Sequence, residues 1–83
     1  MYQLLIEKKV EKQLEKIPEP DYSRVKKCIL DLAGDPRPAG YKKLKGRVGY
    51  RIRQGDYRIV YDIKDQILTI LILAAGHRKD IYD

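Results

Sequence analysis

The 83-residue chain has no phenylalanine and no tryptophan, and only one cysteine, one histidine and one methionine. A single cysteine, Cys28, cannot form an internal disulfide. That excludes the disulfide-stapled secreted mini-domain and fits a reducing compartment. A Cys/His zinc site needs more ligands than the chain holds. No carboxylate group has the pattern of a magnesium site, and no glycine-rich phosphate loop is present. Ser23 falls in a helical segment with no histidine near it in sequence, so the serine-nucleophile constellation is missing too. No metal and no cofactor are expected. The longest apolar run, residues 67–75, contains Thr69 and is too short to cross a bilayer. Residues 1–7 are too short and too early charged for a secretory signal. The expected location is cytoplasmic, with no membrane partner.

What the chain does have is charge, tyrosine and two kinds of periodicity. The length suits one domain, residues 1–83, with a modest core. Seven tyrosines carry all the aromatic surface, each with an apolar ring and a hydrogen-bonding end. The formal net charge is +6, unevenly spread. Residues 1–35 are neutral overall, whereas residues 36–60 hold eight Lys or Arg against one acid, a net of +7. A basic block in an otherwise balanced chain points to a polyanionic partner.

Residues 2–7, rich in Leu and Ile, read as a strand. Val10, Leu14 and Ile17 follow at helical spacing, with Lys and Glu between them, and Pro18 and Pro20 stop that helix. Asp21 or Glu19 can cap a second helix whose apolar face is Val25, Cys28, Ile29 and Leu32. Cys28 on that face reads as a buried, inert thiol. Gly34-Asp35-Pro36 ends the helix, and residues 37–46 read as a basic loop. The period then switches to two. Val48, Tyr50 and Ile52 alternate with Gly49, Arg51 and Arg53. After a turn at residues 54–56, Tyr57, Ile59, Tyr61 and Ile63 alternate with Arg58, Val60 and Asp62. A second turn at 64–66 leads to the most apolar strand, residues 67–74. The expected fold is α+β in the order β-α-α-β-β-β, with a helical hairpin packed on one face of a mainly antiparallel four-stranded sheet.

A two-residue loop at Gly55-Asp56 sets a register. Gln54 faces Tyr57, Ile52 faces Ile59, Tyr50 faces Tyr61 and Val48 faces Ile63, giving one apolar face under the helices. On the other face Arg53 meets Arg58 and Arg51 meets Val60. Like charges placed opposite each other cost a few tenths to roughly 1 kcal/mol, so the pairing suits a function better than it suits stability. Leu68, Ile70 and Ile72 are expected on the helix side, and Thr69, Leu71 and Leu73 on the open face beside the arginines. Such apolar neighbours mark a surface that something covers, either a partner or the chain's own residues 75–83. His77 ends the strand adjoining the arginine pair and can move a proton near neutral pH. Arginines can grip a phosphate and offset charge on its oxygens, while a neighbouring ribose 2′-hydroxyl, present only in RNA, can act as nucleophile.

Four segments, Lys43-Leu44-Lys45-Gly46, Gly49-Tyr50-Arg51-Ile52-Arg53, Gly55-Asp56-Tyr57-Arg58-Ile59-Val60-Tyr61 and Gly76-His77-Arg78-Lys79-Asp80-Ile81-Tyr82, together resemble the RelE/ParE toxin superfamily. The resemblance spans nearly the whole chain. It implies a type II toxin held inactive by a cognate antitoxin. A RelE-like member is an mRNA interferase that enters the ribosomal A site and cuts mRNA by 2′-hydroxyl attack, leaving a cyclic phosphate and a 5′-hydroxyl. The partners implied are the antitoxin, mRNA and the ribosome. The superfamily's functional positions match Arg51, Arg53, Arg58, Arg78 and Tyr82, with His77 or Tyr82 handling a proton or stacking on a base. Lys42, Lys43, Lys45 and Arg47 are the expected RNA-binding residues of the basic segment. RelE itself has lysines where this chain has Arg51 and Arg53, and arginine is a poor general base, so the base stays unassigned. Two other readings remain open: a ParE-like inhibitor that binds DNA gyrase without cutting RNA, and an inactive RNA-binding module.

Overall fold

A computed structural model describes residues 1–81. The element order is β1 (Gln3–Ile6), α1 (Lys8–Glu15), α2 (Asp21–Asp31), β2 (Lys42–Lys43), β3 (Tyr50–Gln54), β4 (Tyr57–Lys64), a 3₁₀ turn (Asp65–Ile67) and β5 (Thr69–His77). The sheet runs β1-β5-β4-β3-β2, parallel between β1 and β5 and antiparallel elsewhere. The helical hairpin covers one face, as its periodicity implies. The main core joins Val10, Leu14 and Ile17 of the first helical segment and Val25, Ile29 and Leu32 of the second to Ile52, Ile59, Tyr61, Ile70, Ile72 and Ala75 of the sheet. No helix among the described residues is long and apolar enough to cross a membrane.

Glu19 caps α2. Its carboxylate accepts the backbone N–H of Ser23 at 2.9 Å and the Ser23 hydroxyl at 2.7 Å, which satisfies donors the helix start would leave open. Asp21 is the first helical residue rather than the cap. Cys28 is half-buried against the core, and burial pushes its thiol pKa up, which disfavours the reactive thiolate. The Tyr61 hydroxyl donates to the Pro36 carbonyl at 2.8 Å inside the protein, anchoring the loop that leaves α2.

The structure corrects three sequence expectations. The sheet has five strands, because Lys42 and Lys43 of the basic loop pair with Arg51 and Tyr50. Two residues are too few for a period to show. Val48 does not extend β3 and lies 71% exposed. Gly49 before Tyr50 has a φ of 125°, and a Cβ there would sit 3.1 Å from the Tyr61 carbonyl, so the chain bends where the alternation suggested continuation. Leu68 does not join Ile70 and Ile72 in the core. It lies 53% exposed with a φ of 49°, closing the 3₁₀ turn.

That turn is held by Asp65. Its carboxylate accepts Arg37 Nη2 at 2.9 Å and the Tyr2 hydroxyl, tying the start of the chain and the basic loop to the β4–β5 connection. These two hydrogen bonds, Arg37 first, hold the Asp65 carboxyl below the usual carboxylate range.

Ile70→Ala should lower the unfolding free energy by roughly 2–5 kcal/mol in urea titrations. Leu68→Gly should be neutral, or stabilising by up to about 1 kcal/mol, because glycine takes a left-handed backbone without steric cost. A core-sized loss at Leu68 would contradict its place in the turn. Because the folded pKa of Asp65 is depressed, its contribution is complete above the unfolded carboxylate range. It is lost as pH falls through the folded value. Carboxyl NMR titration should therefore show Asp65 protonating at lower pH in the wild type than in Arg37→Ala.

Candidate nucleic-acid interface

The β3–β4 hairpin turns through Gly55-Asp56 in the expected register: Gln54 opposite Tyr57, Arg53 opposite Arg58, Ile52 opposite Ile59, Arg51 opposite Val60 and Tyr50 opposite Tyr61. Side chains of paired residues share a face. Ile52, Ile59 and Tyr61 therefore turn toward the helices, while Arg51, Arg53, Arg58 and Val60 turn away. Lys42, paired with Arg51, joins this outer face. Lys43, paired with Tyr50, belongs to the helix side of the edge strand. Lys42, Lys43, Lys45 and Arg47 are all exposed.

Strand β5 departs from simple alternation. Tyr61 pairs with Ile72 but Val60 pairs with Ala74, so Leu73 is an extra residue in β5. This is a β-bulge, and it exchanges the two faces for everything after it. Before the bulge the even positions, Ile70 and Ile72, face the helices. After it the odd positions do. Ala75 is paired with Ile59 and His77 with Tyr57, whereas Gly76 lies opposite Arg58 on the outer face.

His77 thus ends the strand next to Arg58 but presents its ring to the opposite side of the sheet. The imidazole meets the Tyr57 ring edge-on, with centroids 5.6 Å apart and planes at 78°. It lines a hollow with Gln13, Lys16 and Ile17 at the end of α1. Gln13 was not singled out in the sequence. Its Oε1 accepts the Ala75 N–H at 3.0 Å, where β5 runs beyond the reach of β1. One more polar residue on a mostly polar helix gives no signal of that role.

On the outer face the chain folds back on itself. His77 O accepts the N–H groups of Asp80 at 2.8 Å and Ile81 at 3.1 Å, closing a turn that returns Ile81 over the sheet. Ile81 is buried with Leu44 and Val60, and Leu73 and Ala74 pack against them. The covering of Leu73 therefore comes from this chain's own segments. The close approach explains Gly76, where a Cβ would lie 3.2 Å from Ile81 Cγ1. Arg58 Nη1 donates to the Ile81 carbonyl at 3.3 Å.

Arg51, Arg53 and Arg58 were expected to lie exposed together, and the structure separates one. Arg51 is only 8% exposed, enclosed within the outer face. Arg53, Arg58 and Arg78 instead converge on a small cleft of about 90 Å³ beside the Gly55-Asp56 turn. Arg78 is placed there by its backbone N–H, which donates to the Asp56 carbonyl at 2.8 Å. Its Nε lies 4.0 Å from Asp56 Oδ1, and Asp56 is the one acid lining the cleft. Three arginines lining a small opening suit an anion with several acceptor oxygens, such as a phosphate. Tyr82 lies outside the described residues. Among those described, no group of three or more His, Cys, Asp or Glu side chains could hold a metal ion.

Gly76→Val should displace Ile81 and loosen the returning turn. Amide hydrogen exchange at Asp80 and Ile81 should accelerate, while exchange in β4 at Ile59 and Tyr61 stays slow. Unchanged protection at Ile81 would contradict the packing described.

A family model described as the ParE toxin of the type II toxin–antitoxin system parDE matches residues 4–82. Toxin RelG of Mycobacterium tuberculosis is 38% identical over 53 residues, which is 63% of this chain and 61% of RelG, so the match spans about three-fifths of that toxin. The fold is also similar to a chain of the archaeal RelE–RelB complex from Pyrococcus horikoshii. The TM-score is 0.82 with 31% identity, covering 96% of this chain and 98% of that one. A chain of the toxin–antitoxin complex RelBE2 from Mycobacterium tuberculosis gives a TM-score of 0.82 at 28% identity, over 93% and 98% of the two chains. With the hairpin-covered sheet, the arginine cleft and these matches, the chain belongs to the RelE/ParE superfamily of toxins from type II toxin–antitoxin systems.

Proposed function

We propose that this toxin is a ribosome-dependent mRNA endonuclease that inhibits translation in the cytoplasm and is held in check by a cognate antitoxin. The observation that carries the reading is the convergence of Arg53, Arg58 and Arg78 on one cleft. A phosphodiester seated there meets donors able to fork onto its non-bridging oxygens, and their charge offsets the charge that grows on those oxygens as phosphorus becomes five-coordinate. The 2′-oxygen forms a bond to phosphorus as its proton departs, and the bond from phosphorus to the 5′-oxygen breaks. That oxygen takes up a proton, leaving a 2′,3′-cyclic phosphate and a 5′-hydroxyl. Arg53 and Arg58 grip the phosphate and Arg78 assists the leaving oxygen. Arg51 supports them from within the outer face, and Tyr82 supplies stacking or a proton. Lys42, Lys45 and Arg47 track flanking phosphates. Lys43 does so from the edge strand's other side. Each phosphate contact contributes a slope of roughly −0.7 in log affinity against log salt on a single strand.

The antitoxin assignment draws on the relatives whose structures are RelE–RelB complexes. An acidic or amphipathic segment of such a partner complements the basic 36–60 region.

The description of the matching family favours one second reading, a ParE-like inhibitor of DNA gyrase. Mapping transcript 5′ ends in cells expressing the wild type, Arg58→Ala or Arg78→Ala, with plasmid supercoiling measured alongside, separates the two. The ribonuclease predicts new 5′-hydroxyl ends within coding sequence, reduced about 10²–10³-fold in Arg58→Ala, and unchanged supercoiling. Growth arrest with intact transcripts and relaxed plasmids would establish the gyrase reading instead.

A further inference from the structure

The last strand runs on past the point where the sheet supports it from both sides. β5 pairs with β4 as far as His77, which lies opposite Tyr57. Its other edge pairs with β1 as far as Ile72. Beyond that point no strand among the described residues lies alongside, and residues 73–77 keep an open edge. Arg78 of the arginine cleft follows directly. An open edge leaves backbone N–H groups without a strand to receive them. Ala75 is 0% exposed, so water cannot take the strand's place there.

Three contacts in succession hold this segment. The Ala75 N–H donates to Gln13 Oε1 at 3.0 Å. The His77 ring stands edge-on to the Tyr57 ring. The Arg78 N–H donates to the Asp56 carbonyl at 2.8 Å. Asp56 and Tyr57 belong to the hairpin that carries Arg53 and Arg58, so these two contacts tie Arg78 to its neighbours in the cleft. Gln13 does something different. It sits on α1, whose Val10 and Leu14 are buried in the main core with Ala75. It therefore ties the end of the strand to the body of the protein, with an amide oxygen where a strand carbonyl would otherwise be.

We propose that Gln13 is a positioning residue for Arg78. By receiving the Ala75 N–H on the open edge of β5, it fixes where the Arg78 guanidinium stands in the cleft. Gln13 lines the hollow on the helix side and not the cleft, so it acts through the strand. The inference rests on the ribonuclease reading for the step that Arg78 assists, departure of the leaving oxygen. It adds to that reading a residue from the opposite face of the sheet. A misplacement of about 1 Å at a reacting group costs on the order of 10²-fold in rate. Arg53 and Arg58 would still grip the phosphate, so loss of Gln13 falls on turnover rather than on binding.

The test measures kcat and KM for cutting of ribosome-bound mRNA by the purified toxin. Gln13→Leu keeps a good helix former but loses the acceptor, whereas Gln13→Glu keeps one. Gln13→Leu should lower kcat about tenfold or more and leave KM within about twofold. Gln13→Glu should restore most of the rate. Gln13→Ala, too short to reach Ala75, should behave as Gln13→Leu does and replaces it where leucine disturbs folding. Combined with Arg78→Ala, the loss at Gln13 should not add, because both changes remove the same contribution. A second readout needs no cutting: inorganic phosphate followed by NMR of the arginine side chains. The Arg78 response should weaken in Gln13→Leu while the Arg53 response is kept. Wild-type kcat without the Gln13 acceptor, or losses that add in full to those of Arg78→Ala, would overturn the positioning role and leave the ribonuclease reading standing. A weakened Arg78 response in a toxin whose wild type cuts no RNA would uphold the positioning role and remove the ribonuclease reading.

Discussion

One extra residue in the last strand decides how this molecule distributes its chemistry. If Leu73 instead paired in regular alternation, with no bulge at the Val60–Tyr61 step, the residues after it would change faces: Ala75 would leave the core, and His77 would stand among the arginines. With the bulge, Ile70 and Ile72 fill the core at one end of the strand and Ala75 fills it at the other. Gly76 is left on the outer face, bare enough for Ile81 to lie across it. The two polar regions at this end of the sheet, three arginines on one side and the His77 hollow on the other, are separated by a register shift of one position.

The cost of the arginine arrangement is carried locally. Arg53 and Arg58 face each other across a strand pair, a placement that stability alone does not favour. The hairpin tolerates it because its opposite face is anchored by Ile52, Ile59 and Tyr61 in the main core. The returning turn adds a carbonyl acceptor for Arg58 and brings Arg78 to Asp56. The same turn therefore covers the apolar part of the outer face and completes the cleft. Burial and the arginine cleft are joined in residues 76–81.

Much of this was legible in the residues. Period-two alternation and the Gly55-Asp56 loop gave the hairpin register pair by pair, including Arg53 with Arg58. Helical spacing gave both helices and the face each buries. What stayed hidden has physical causes. Lys42 and Lys43 form a strand through pairing with β3, not through any pattern of their own. Leu68 is as apolar as Ile70, but a left-handed turn residue cannot be told from a strand residue by hydropathy. A bulge leaves no mark in a strand of Ile, Leu and Ala, because any of them fits either face, so the reversal of His77 was unreadable. Alternation places Arg51 on the outer face but does not report how deeply that face is covered, so its burial was not readable.

The partition of the sheet by Leu73 is tested most directly by nuclear Overhauser contacts of the His77 imidazole in the purified protein. Contacts to the Tyr57 ring and the Gln13 side chain, with none to Arg53 or Arg58, are the result this account predicts. Contacts from His77 to the Arg53 or Arg58 side chains would mean that the strand alternates without a bulge, and the division between arginine cleft and His77 hollow would fall.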